Sequence, residues 1–380
     1  MRRLLLLISA VVLVDTAFYA AVTPLLPDYV EELGLSKTAA GVLSASYAAG
    51  TVVGSIPGGW LAARAGVKPT LLLGLALMGV TSVVFGLAEN VVLLDSTRFL
   101  QGVGGACSWA AGMAWLAGAA PRDRRGEMIG SAVAAAIVGM LLGPVVGGAA
   151  TVVGPEPVFG FFALLAAALA GWAWVTPGVP PGEEPSMRRF ARALRRPAVL
   201  TGFWIFTLPA LFAGVLEVLV PLRMDALGAT GVAVGGAFLA AAAVEASVSP
   251  VAGRISDRRG RLAPVRAGLA GAAAAAVLLP LPGEAWLVVV TLLAAVAALG
   301  TFWAPGMALL SDASEEAGLD QGFAFALANL AWALGHVVGG AGGASVAEAT
   351  ADAVPYALLA VLCAATLAAV SRLRRPVATT

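Results

Sequence analysis

Several ionisable side chains lie inside long apolar stretches of the sequence, where an uncompensated charge is energetically costly. Among them are Asp15, Arg98, Glu217, Glu245 and His336, and the last of these is the only histidine of the chain. A carboxyl group in a medium of low dielectric constant is readily protonated, and in its charged form it attracts cations. These residue types therefore predict exchange of protons and cations in an apolar setting, with the imidazole as a further titratable group.

The composition predicts that membrane-crossing helices position these groups. Of the 380 residues, 60% are hydrophobic and 12% are charged, against roughly 45–50% and about 25% in soluble domains. A transmembrane helix needs about 20 mostly apolar residues, and the apolar runs here lack the alternation of a transmembrane β-barrel. Twelve runs qualify, numbered spans 1 to 12 in chain order: Leu4–Leu26, Ala39–Ala62, Leu71–Leu87, Leu93–Leu116, Met128–Val153, Val158–Val175, Val199–Val220, Val232–Ile255, Val265–Leu281, Trp286–Leu310, Gly322–Val346 and Val354–Val370.

The positions of the basic residues support this count and predict an orientation. With the N-terminus inside, 20 of the 23 Lys and Arg residues fall on inside segments, as the positive-inside rule requires. Only Lys37 and Arg223 fall outside, and Arg98 lies within a span. The excess of Arg over Lys, with abundant Ala and Gly, is typical of a GC-rich bacterial genome. We expect a multi-pass protein of the bacterial cytoplasmic (inner) membrane with both termini in the cytoplasm.

The second half of the sequence repeats the first, which predicts two structural repeats. The offset is 194 residues and becomes 196 near the end of each half. Such duplication is typical of transporters with a midplane site between the repeats. The predicted fold is an all-α polytopic membrane protein with 12 transmembrane helices in two pseudo-symmetric six-helix bundles. Residues 1–176 form the N-terminal bundle, 177–198 a cytoplasmic linker and 199–380 the C-terminal bundle. The aligned pairs include Gly41 with Gly235, Gly66 with Gly260, Gly139 with Gly335 and Gly143 with Gly339.

Several classes of site are excluded by composition. The formal net charge of +1 offers no surface for nucleic acid. Cys107 and Cys363 both lie in apolar runs, and we interpret them as small core residues rather than a disulfide or a metal site. A single histidine excludes a zinc site built on paired imidazoles. We therefore expect no metal and no cofactor.

The loops after spans 2 and 8 carry related motifs. Residues 59–68 read Gly-Trp-Leu-Ala-Ala-Arg-Ala-Gly-Val-Lys, and residues 253–261 read Gly-Arg-Ile-Ser-Asp-Arg-Arg-Gly-Arg. Both resemble the G-x-L-A-D-R-x-G-R-K loop of the major facilitator superfamily, whose members are alternating-access transporters. Ala63 stands where the family has an acid, so the first loop departs from the family's inside-gate ion pair. The resemblance implies gating roles for Gly59, Arg64, Gly66, Asp257, Arg258 and Gly260.

Spans 4 and 5 resemble two further motifs of that superfamily. Residues 98–106 read Arg-Phe-Leu-Gln-Gly-Val-Gly-Gly-Ala, similar to R-x-x-Q-G-x-G-x-A, which implies proton coupling for Arg98 and a substrate contact for Gln101. The alternative for Arg98 is a structural pair with Asp95 on the same helix. Span 5 matches the antiporter motif G-x-x-x-G-P-x-x-G-G, which favours exchange over symport. This implies conformational roles for Gly139, Gly143, Pro144, Gly147 and Gly148.

Span 1 is similar to the first span of twelve-helix drug:proton antiporters and vesicular monoamine transporters. Asp15 precedes Pro24 and Pro27 at the spacing found there, and it lies roughly 16 Å into the span at 1.5 Å per residue. In span 7, Glu217 precedes Pro221, as an acid precedes a proline in the monoamine transporters. The resemblance implies that both acids bind protons and substrate, although a structural acid in span 1 is an alternative.

Span 11 places four side chains on one helical face, at steps of four, three and four residues. This face is either a cavity wall or a packed aromatic surface, and Tyr19 and Trp109 are further candidates for a cavity lining. Aromatic rings with carboxylates suit a lipophilic cation. Glu245 in span 8 is a proton-coupling group, a partner of Arg254 or a polar residue that draws water into the cavity. The four residues are Phe325, Asn329, Trp332 and His336.

The expected function is proton-coupled export of a lipophilic organic cation, drug or monoamine-like compound by a monomer, with the proton gradient as energy source. The alternative is export of a neutral or zwitterionic metabolite, such as a sugar or amino acid, by proton antiport. An intramembrane serine protease using His336 is disfavoured because no convincing Gly-x-Ser-Gly partner exists. We expect the partners to be the small-molecule substrate, protons and the lipid bilayer.

Overall fold

The computed structural model describes residues 2–121, 125–179, 187–319 and 321–372, and every element within these ranges is helical. Twelve spans are present, as the fold class predicts. Ten are long and apolar enough to cross a membrane by length and composition alone, and Val91–Ala119 and the shorter Leu262–Leu278 complete the set. The observed spans are Arg2–Leu33, Lys37–Arg64, Val67–Gly86, Val91–Ala119, Arg125–Val153, Pro155–Val175, Pro197–Ala226, Gly231–Arg259, Leu262–Leu278, Ala285–Glu316, Gln321–Val337 with its continuation to Ala349, and Ala353–Arg372.

Several spans extend beyond their apolar cores. Span 10 ends at Glu316, so residues 311–316 are helical where the sequence predicts a loop. Asp312 on this extension forms an ion pair of 3.2 Å with Arg261, which follows span 8. Hydropathy does not detect such helix ends because only the part of a helix within the hydrocarbon must be apolar.

The predicted linker 177–198 contains a seven-residue helix, Met187–Ala193. Its Phe190 and Ala193 are buried in an apolar cluster with Val199 and Leu310. This helix therefore packs against the predicted inner ends of spans 7 and 10. Residues 180–186 of the linker lie outside the described residues, as do 122–124 and the end of the C-terminal bundle, 373–380.

Span 1 is interrupted directly after Ala20. Its first helix ends at Ala20, a 3₁₀ turn covers Thr23–Leu25, and a second helix runs over Leu26–Leu33. Pro24 lacks an N–H, so the helical hydrogen-bond ladder stops here. The last carbonyls of the first helix are then free to accept bonds from elsewhere.

The two halves repeat the same close contacts between helices. A Cβ at Gly139 would lie 2.4 Å from the carbonyl oxygen of Leu13, and a Cβ at Gly335 would lie 2.6 Å from that of Thr207. Spans 5 and 1 thus cross as spans 11 and 7 do, in the register that the duplication predicts. In both contacts glycine is required because a side chain would occupy the space of the facing backbone.

The halves meet along two helix pairs, span 2 with span 11 and span 5 with span 8. A Cβ at Gly41 would lie 2.5 Å from the Cβ of Ala344, and one at Gly235 would lie 2.7 Å from the Pro144 carbonyl oxygen. Span 11 has a π-helical turn, Val338–Gly342, at its crossing with span 2. Such turns recur at functional sites.

At the predicted outer end, polar contacts also join the two halves. Lys37 forms an ion pair with Asp352, and the backbone N–H of Thr38 donates to Glu348 Oε2 at 2.6 Å. All four residues lie at the start of span 2 or around the start of span 12. In this conformation the halves are therefore in contact at the predicted outer end.

Candidate functional site

Asp15 is buried at the centre of the N-terminal bundle, with 1% of its surface exposed. Tyr47 Oη donates to Asp15 Oδ2 at 2.9 Å, and Trp109 Nε1 donates to the same oxygen at 3.0 Å. Asp15 Oδ1 has no hydrogen-bond partner within the protein. The carboxyl therefore has one oxygen held by two neutral donors and one buried oxygen that is available to hold a proton.

A close crossing of spans 2 and 4 sets this geometry. Cβ atoms at Gly50 and Gly102 would each lie 1.9 Å from a backbone oxygen of the facing helix. The crossing brings Tyr47 onto Gly105, where a Cβ would lie 2.4 Å from Tyr47 Oη and 2.9 Å from Asp15 Oδ1. Gly105 therefore leaves the space in which the phenol reaches the carboxylate.

Arg98 is buried within the protein, with 1% exposure. Its Nη1 donates to Gln101 Oε1 at 2.8 Å, and its Nη2 donates to the Tyr19 carbonyl oxygen at 3.3 Å, which the break in span 1 leaves accessible. The guanidinium also lies 5.1 Å from the Tyr47 ring centroid, a cation–π distance. Within the described part of the chain, no ion pair joins it to Asp95, so the predicted alternative of a pair on the same helix is wrong.

Glu217 connects the two halves. Tyr19 Oη on span 1 donates to Glu217 Oε2 at 2.8 Å, and His336 Nε2 on span 11 lies 3.6 Å from Glu217 Oε1. His336 Nδ1 lies 3.1 Å from the Trp332 carbonyl oxygen. The imidazole is thus fixed between its own helix and the carboxyl group.

Aromatic rings from both halves surround this contact. Tyr19 lies 5.0 Å from Tyr47 and 5.2 Å from Trp332, and Trp332 lies 4.4 Å from His336, measured between ring centroids. Met140 of span 5 packs against the same group. We call Tyr19, Tyr47, Trp332 and His336 the central cluster. The rings provide the aromatic surface that attracts an organic cation.

The remaining predicted site residues lie around this cluster. Phe325 and Asn329 are half-buried towards the predicted inner end of span 11, and Phe325 packs on the main apolar core. Glu245 is half-buried on span 8 and interacts electrostatically with Glu217 and His336. No ion pair joins Glu245 to Arg254 within the described part of the chain, so the predicted pairing alternative is wrong.

A small cavity of about 10 Å³, the size of a single water molecule, adjoins Glu217 on its predicted outer side. Its walls continue along span 1 beyond the helix break, to Thr23 and Leu26, and include Ser44 of span 2. Glu217 retains 14% side-chain exposure, against 1% for Asp15. Of these two acids, Glu217 is therefore the less deeply buried.

The motif glycines of span 5 divide between two partners. Gly139, Gly143 and Gly147 pack on span 1, with Cβ positions 2.1–2.4 Å from its nearest atoms. Gly148 faces span 8 of the other half, where a Cβ would be 3.7 Å from Gly235. The Pro144 carbonyl contacts Gly235 as well, so one motif fixes span 1 and also contributes to the interface between the halves.

The loop motifs contribute turns and exposed cations. Gly66 and Gly260, equivalent in the duplication, have φ values of 100° and 89°, which favour glycine. Arg64 is exposed and stacks 5.1 Å from the Trp60 ring, while Arg258 is also exposed. Gly59 has open space around it, so no close contact there requires glycine. The Asp257 side chain lies outside the described residues.

Tyr47 was not predicted from the sequence as a site residue, although it donates a hydrogen bond to Asp15 and belongs to the central cluster. A signal was present in span 2, where Gly50, Gly54 and Gly58 follow at intervals of four. Such spacing predicts a close helix crossing, and Tyr47 lies one turn before it. The spacing does not predict which helix packs against these glycines.

A sequence profile described as the Major Facilitator Superfamily matches residues 7–340 and, in a second alignment, residues 218–380. The chain belongs to the Major Facilitator Superfamily. This family consists of transporters of small molecules rather than enzymes, so the protein is a multi-pass membrane transporter. The expectation that it is not a protease follows from this membership.

Relatives include transporters of different kinds. The chain is 33% identical to Multidrug resistance protein 1 of Bacillus subtilis (strain 168), over 39% of each chain. It is 34% identical to Probable vesicular acetylcholine transporter-B of Danio rerio, over 39% of this chain and 32% of that one. The matches thus span well under half of these relatives. The crystal structure of D-xylose-proton symporter shares the fold, with a TM-score of 0.75, 17% identity and 96% coverage of both chains.

Proposed function

We propose that this transporter exports a lipophilic organic cation in exchange for protons. One observation carries the proposal: each half contributes an acid, Asp15 and Glu217, and the central cluster of aromatic rings lies between the halves where these acids are held. A lipophilic cation needs a counter-charge and an apolar, polarisable surface. Both are available at this position.

Competition at the two carboxylates would couple the fluxes. Asp15 has an oxygen without a partner in the protein, and Glu217 adjoins a cavity. A proton and a substrate cation neutralise the same charge, so binding of one lowers the affinity for the other. Each ligand then biases the equilibrium between outward-open and inward-open states through its differential affinity for them.

The proton gradient would supply the energy without a cofactor. Each proton that moves inward provides about 2.3 kcal/mol per 100 mV of membrane potential, in addition to the pH difference. The direction of export rests on the predicted orientation, in which both termini lie in the cytoplasm of a bacterial cell. We propose that the transporter acts as a monomer, since each chain contains both repeats.

A second candidate substrate is a zwitterionic or neutral metabolite. The observation that favours it is the environment of Arg98, whose Nε lacks a partner in the protein, as does Nε2 of the adjacent Gln101. A substrate carboxylate or hydroxyl could bind these buried donors. Substrate charge therefore distinguishes the two candidates.

The test uses inside-out membrane vesicles with an acid interior and a pH-sensitive acridine dye. Tetraphenylphosphonium, a monoamine, a sugar and an amino acid are added in turn. Wild type should release protons with the cations, Asp15→Asn should not, and Asp225→Asn, which changes an exposed acid at the predicted outer end, should behave as wild type. Release by the sugar or amino acid alone would contradict the cation proposal.

A further inference from the structure

The orientation of His336 restricts where its protons can be. Its Nδ1 lies 3.1 Å from the carbonyl oxygen of Trp332. A carbonyl oxygen only accepts hydrogen bonds, so Nδ1 carries the hydrogen. In the neutral imidazole, Nε2 would then present a lone pair.

That lone pair would face a carboxylate. Nε2 lies 3.6 Å from Glu217 Oε1, and His336 is 3% exposed, so bulk water does not separate the two atoms. An unprotonated Nε2 and an ionised Glu217 would repel each other at this distance. One proton must therefore lie between the two groups.

The surroundings of Glu217 favour its ionised form and place this proton on Nε2. Tyr19 Oη donates to Oε2 at 2.8 Å, and Arg98 interacts favourably with the carboxylate. The 3.6 Å separation also exceeds the usual length of an O–H···N hydrogen bond from a protonated carboxyl, whereas an imidazolium–carboxylate ion pair tolerates it. The carboxyl group of Glu245 on span 8 also lies within electrostatic reach of His336 and of Glu217.

We propose that the Glu217–His336 pair, rather than Glu217 alone, holds the proton that is exchanged for substrate. This inference rests on the proposed function and specifies its proton site. In the proton-loaded state the imidazolium and carboxylate have no net charge. When a substrate cation binds Glu217, the Nε2–H proton dissociates and the neutral imidazole remains. The charges of the carboxylate, the neutral imidazole and the bound cation again sum to zero.

The position of the pair suits this exchange. Tyr19 belongs to the first half and contacts both partners, with its hydroxyl on Glu217 and its ring 6.1 Å from the His336 ring. The cavity beside Glu217 lies on the predicted outer side, from which protons would enter. Gain or loss of the proton therefore changes the charge at a contact that joins the two halves.

Because the chain has one histidine, nuclear magnetic resonance can observe the pair directly. The full-length protein, labelled with ¹⁵N-histidine and without a histidine tag, should show an imidazole protonated on both nitrogens near neutral pH. Glu217→Gln should yield the neutral form with hydrogen on Nδ1, as should saturation of wild type with tetraphenylphosphonium. A neutral imidazole in substrate-free wild type, or hydrogen on Nε2 alone, would overturn the inference.

The affinity for tetraphenylphosphonium provides an independent readout. If the pair releases one proton per bound cation, log Kd falls by about one per pH unit on its account, and His336→Gln makes the slope of log Kd against pH less negative by about one. Ser345→Ala is the matched control, because Ser345 lies on the same span and its hydroxyl bonds only its own helix, to Ala341. An unchanged slope in His336→Gln would overturn the inference while leaving cation binding intact. Absence of cation binding in wild type would contradict the proposed function, and the resonance measurement on substrate-free protein would still test the pair.

Discussion

The hydroxyl of Tyr19 donates a hydrogen bond of 2.8 Å to Oε2 of Glu217, across the boundary between the two halves of the transporter. The donor follows Asp15 by one helical turn, and the acceptor contacts His336. The two predicted carboxylate sites are therefore not independent. A change of charge at Glu217 alters a bond to the helix that carries Asp15.

Tyr19→Phe should favour separation of the halves at the predicted outer end. A hydrogen bond to a charged group contributes about 1.5–3 kcal/mol, so the open population should rise by roughly ten- to hundredfold. Spin labels on cysteines introduced at Val92 and Trp286, both exposed at that end, measure the distance between the two halves there. The two native cysteines are buried, so the label should not react with them. Tyr29→Phe is the matched control, since the Tyr29 hydroxyl lacks a partner. Equal distance distributions for both variants would contradict this role.

Asp15→Asn should abolish proton exchange while retaining the fold. Both donors to Asp15 use the same oxygen, Oδ2, and the carbonyl oxygen of an asparagine amide can accept both bonds. The melting temperature in detergent should therefore stay close to that of wild type. A large drop in melting temperature would instead assign Asp15 a structural role, which is the alternative that the sequence leaves open.

Gly105→Ala should disrupt the Asp15 site by displacing Tyr47, one of the two hydrogen-bond donors to the carboxylate. The added methyl group would lie 2.4 Å from Tyr47 Oη, so the phenol must move away from the carboxylate. Overpacking of this kind costs about 1–3 kcal/mol. Gly160→Ala, with no neighbouring atom within 4 Å, serves as control in thermal unfolding and transport. If both variants transport equally well, the Tyr47–Asp15 contact is dispensable.

Two glycines of the span 5 motif should respond differently to alanine. A Cβ at Gly143 would lie 2.4 Å from Ala20 Cβ, whereas one at Gly148 would have ordinary contacts at 3.7 Å. Gly143→Ala should force spans 1 and 5 apart and lower both thermal stability and transport. Gly148→Ala should be tolerated in both assays. If Gly148→Ala were instead the more damaging substitution, stability and transport would depend more on the contact of span 5 with span 8 than on its contact with span 1.

The outer ion pair of Lys37 and Asp352 should contribute little by itself. Its side chains are 40% and 43% exposed, and exposed pairs contribute about 0.2–1 kcal/mol. Lys37→Asp removes the pair and adds a repulsion of similar size with Asp352, so it should increase outer opening by less than about thirtyfold, which corresponds to twice the upper end of that range. The double variant Lys37→Asp with Asp352→Lys should restore the wild-type distance distribution. A larger effect that the second substitution does not reverse would mean that Lys37 acts through another partner.

The sequence predicts the fold well because hydropathy and charge are properties of single segments. The twelve spans follow from apolar length, and glycine pairs such as Gly66 and Gly260 follow from the duplication. Asp15 and Glu217 stand out because an acid in an apolar run is rare. The bounds of span 10 could not be predicted, since its polar end is stabilised by tertiary contacts such as Asp312 with Arg261.

The connections within the site could not be predicted from the sequence. Tyr19 and Glu217 lie 198 residues apart, and their contact depends on how span 1 breaks and on how the halves approach. Tyr47 reaches Asp15 only because spans 2 and 4 cross backbone to backbone at Gly50 and Gly102. Residue spacing indicates which face of a helix is packed, but it does not identify the helix that covers that face.

The most direct test of the account is uphill transport in proteoliposomes that contain the purified protein. With an acid interior, an alkaline exterior and equal potassium on both sides, wild type should accumulate tetraphenylphosphonium inside against its concentration gradient and lose it when nigericin, an ionophore that exchanges H⁺ for K⁺ without net charge movement, is added. Asp15→Asn and Glu217→Gln should not accumulate it, and Glu284→Gln, which changes an exposed carboxylate outside the site, should match wild type. Accumulation that is equal in all four proteins, or that survives the ionophore, would contradict proton-for-cation exchange through these acids.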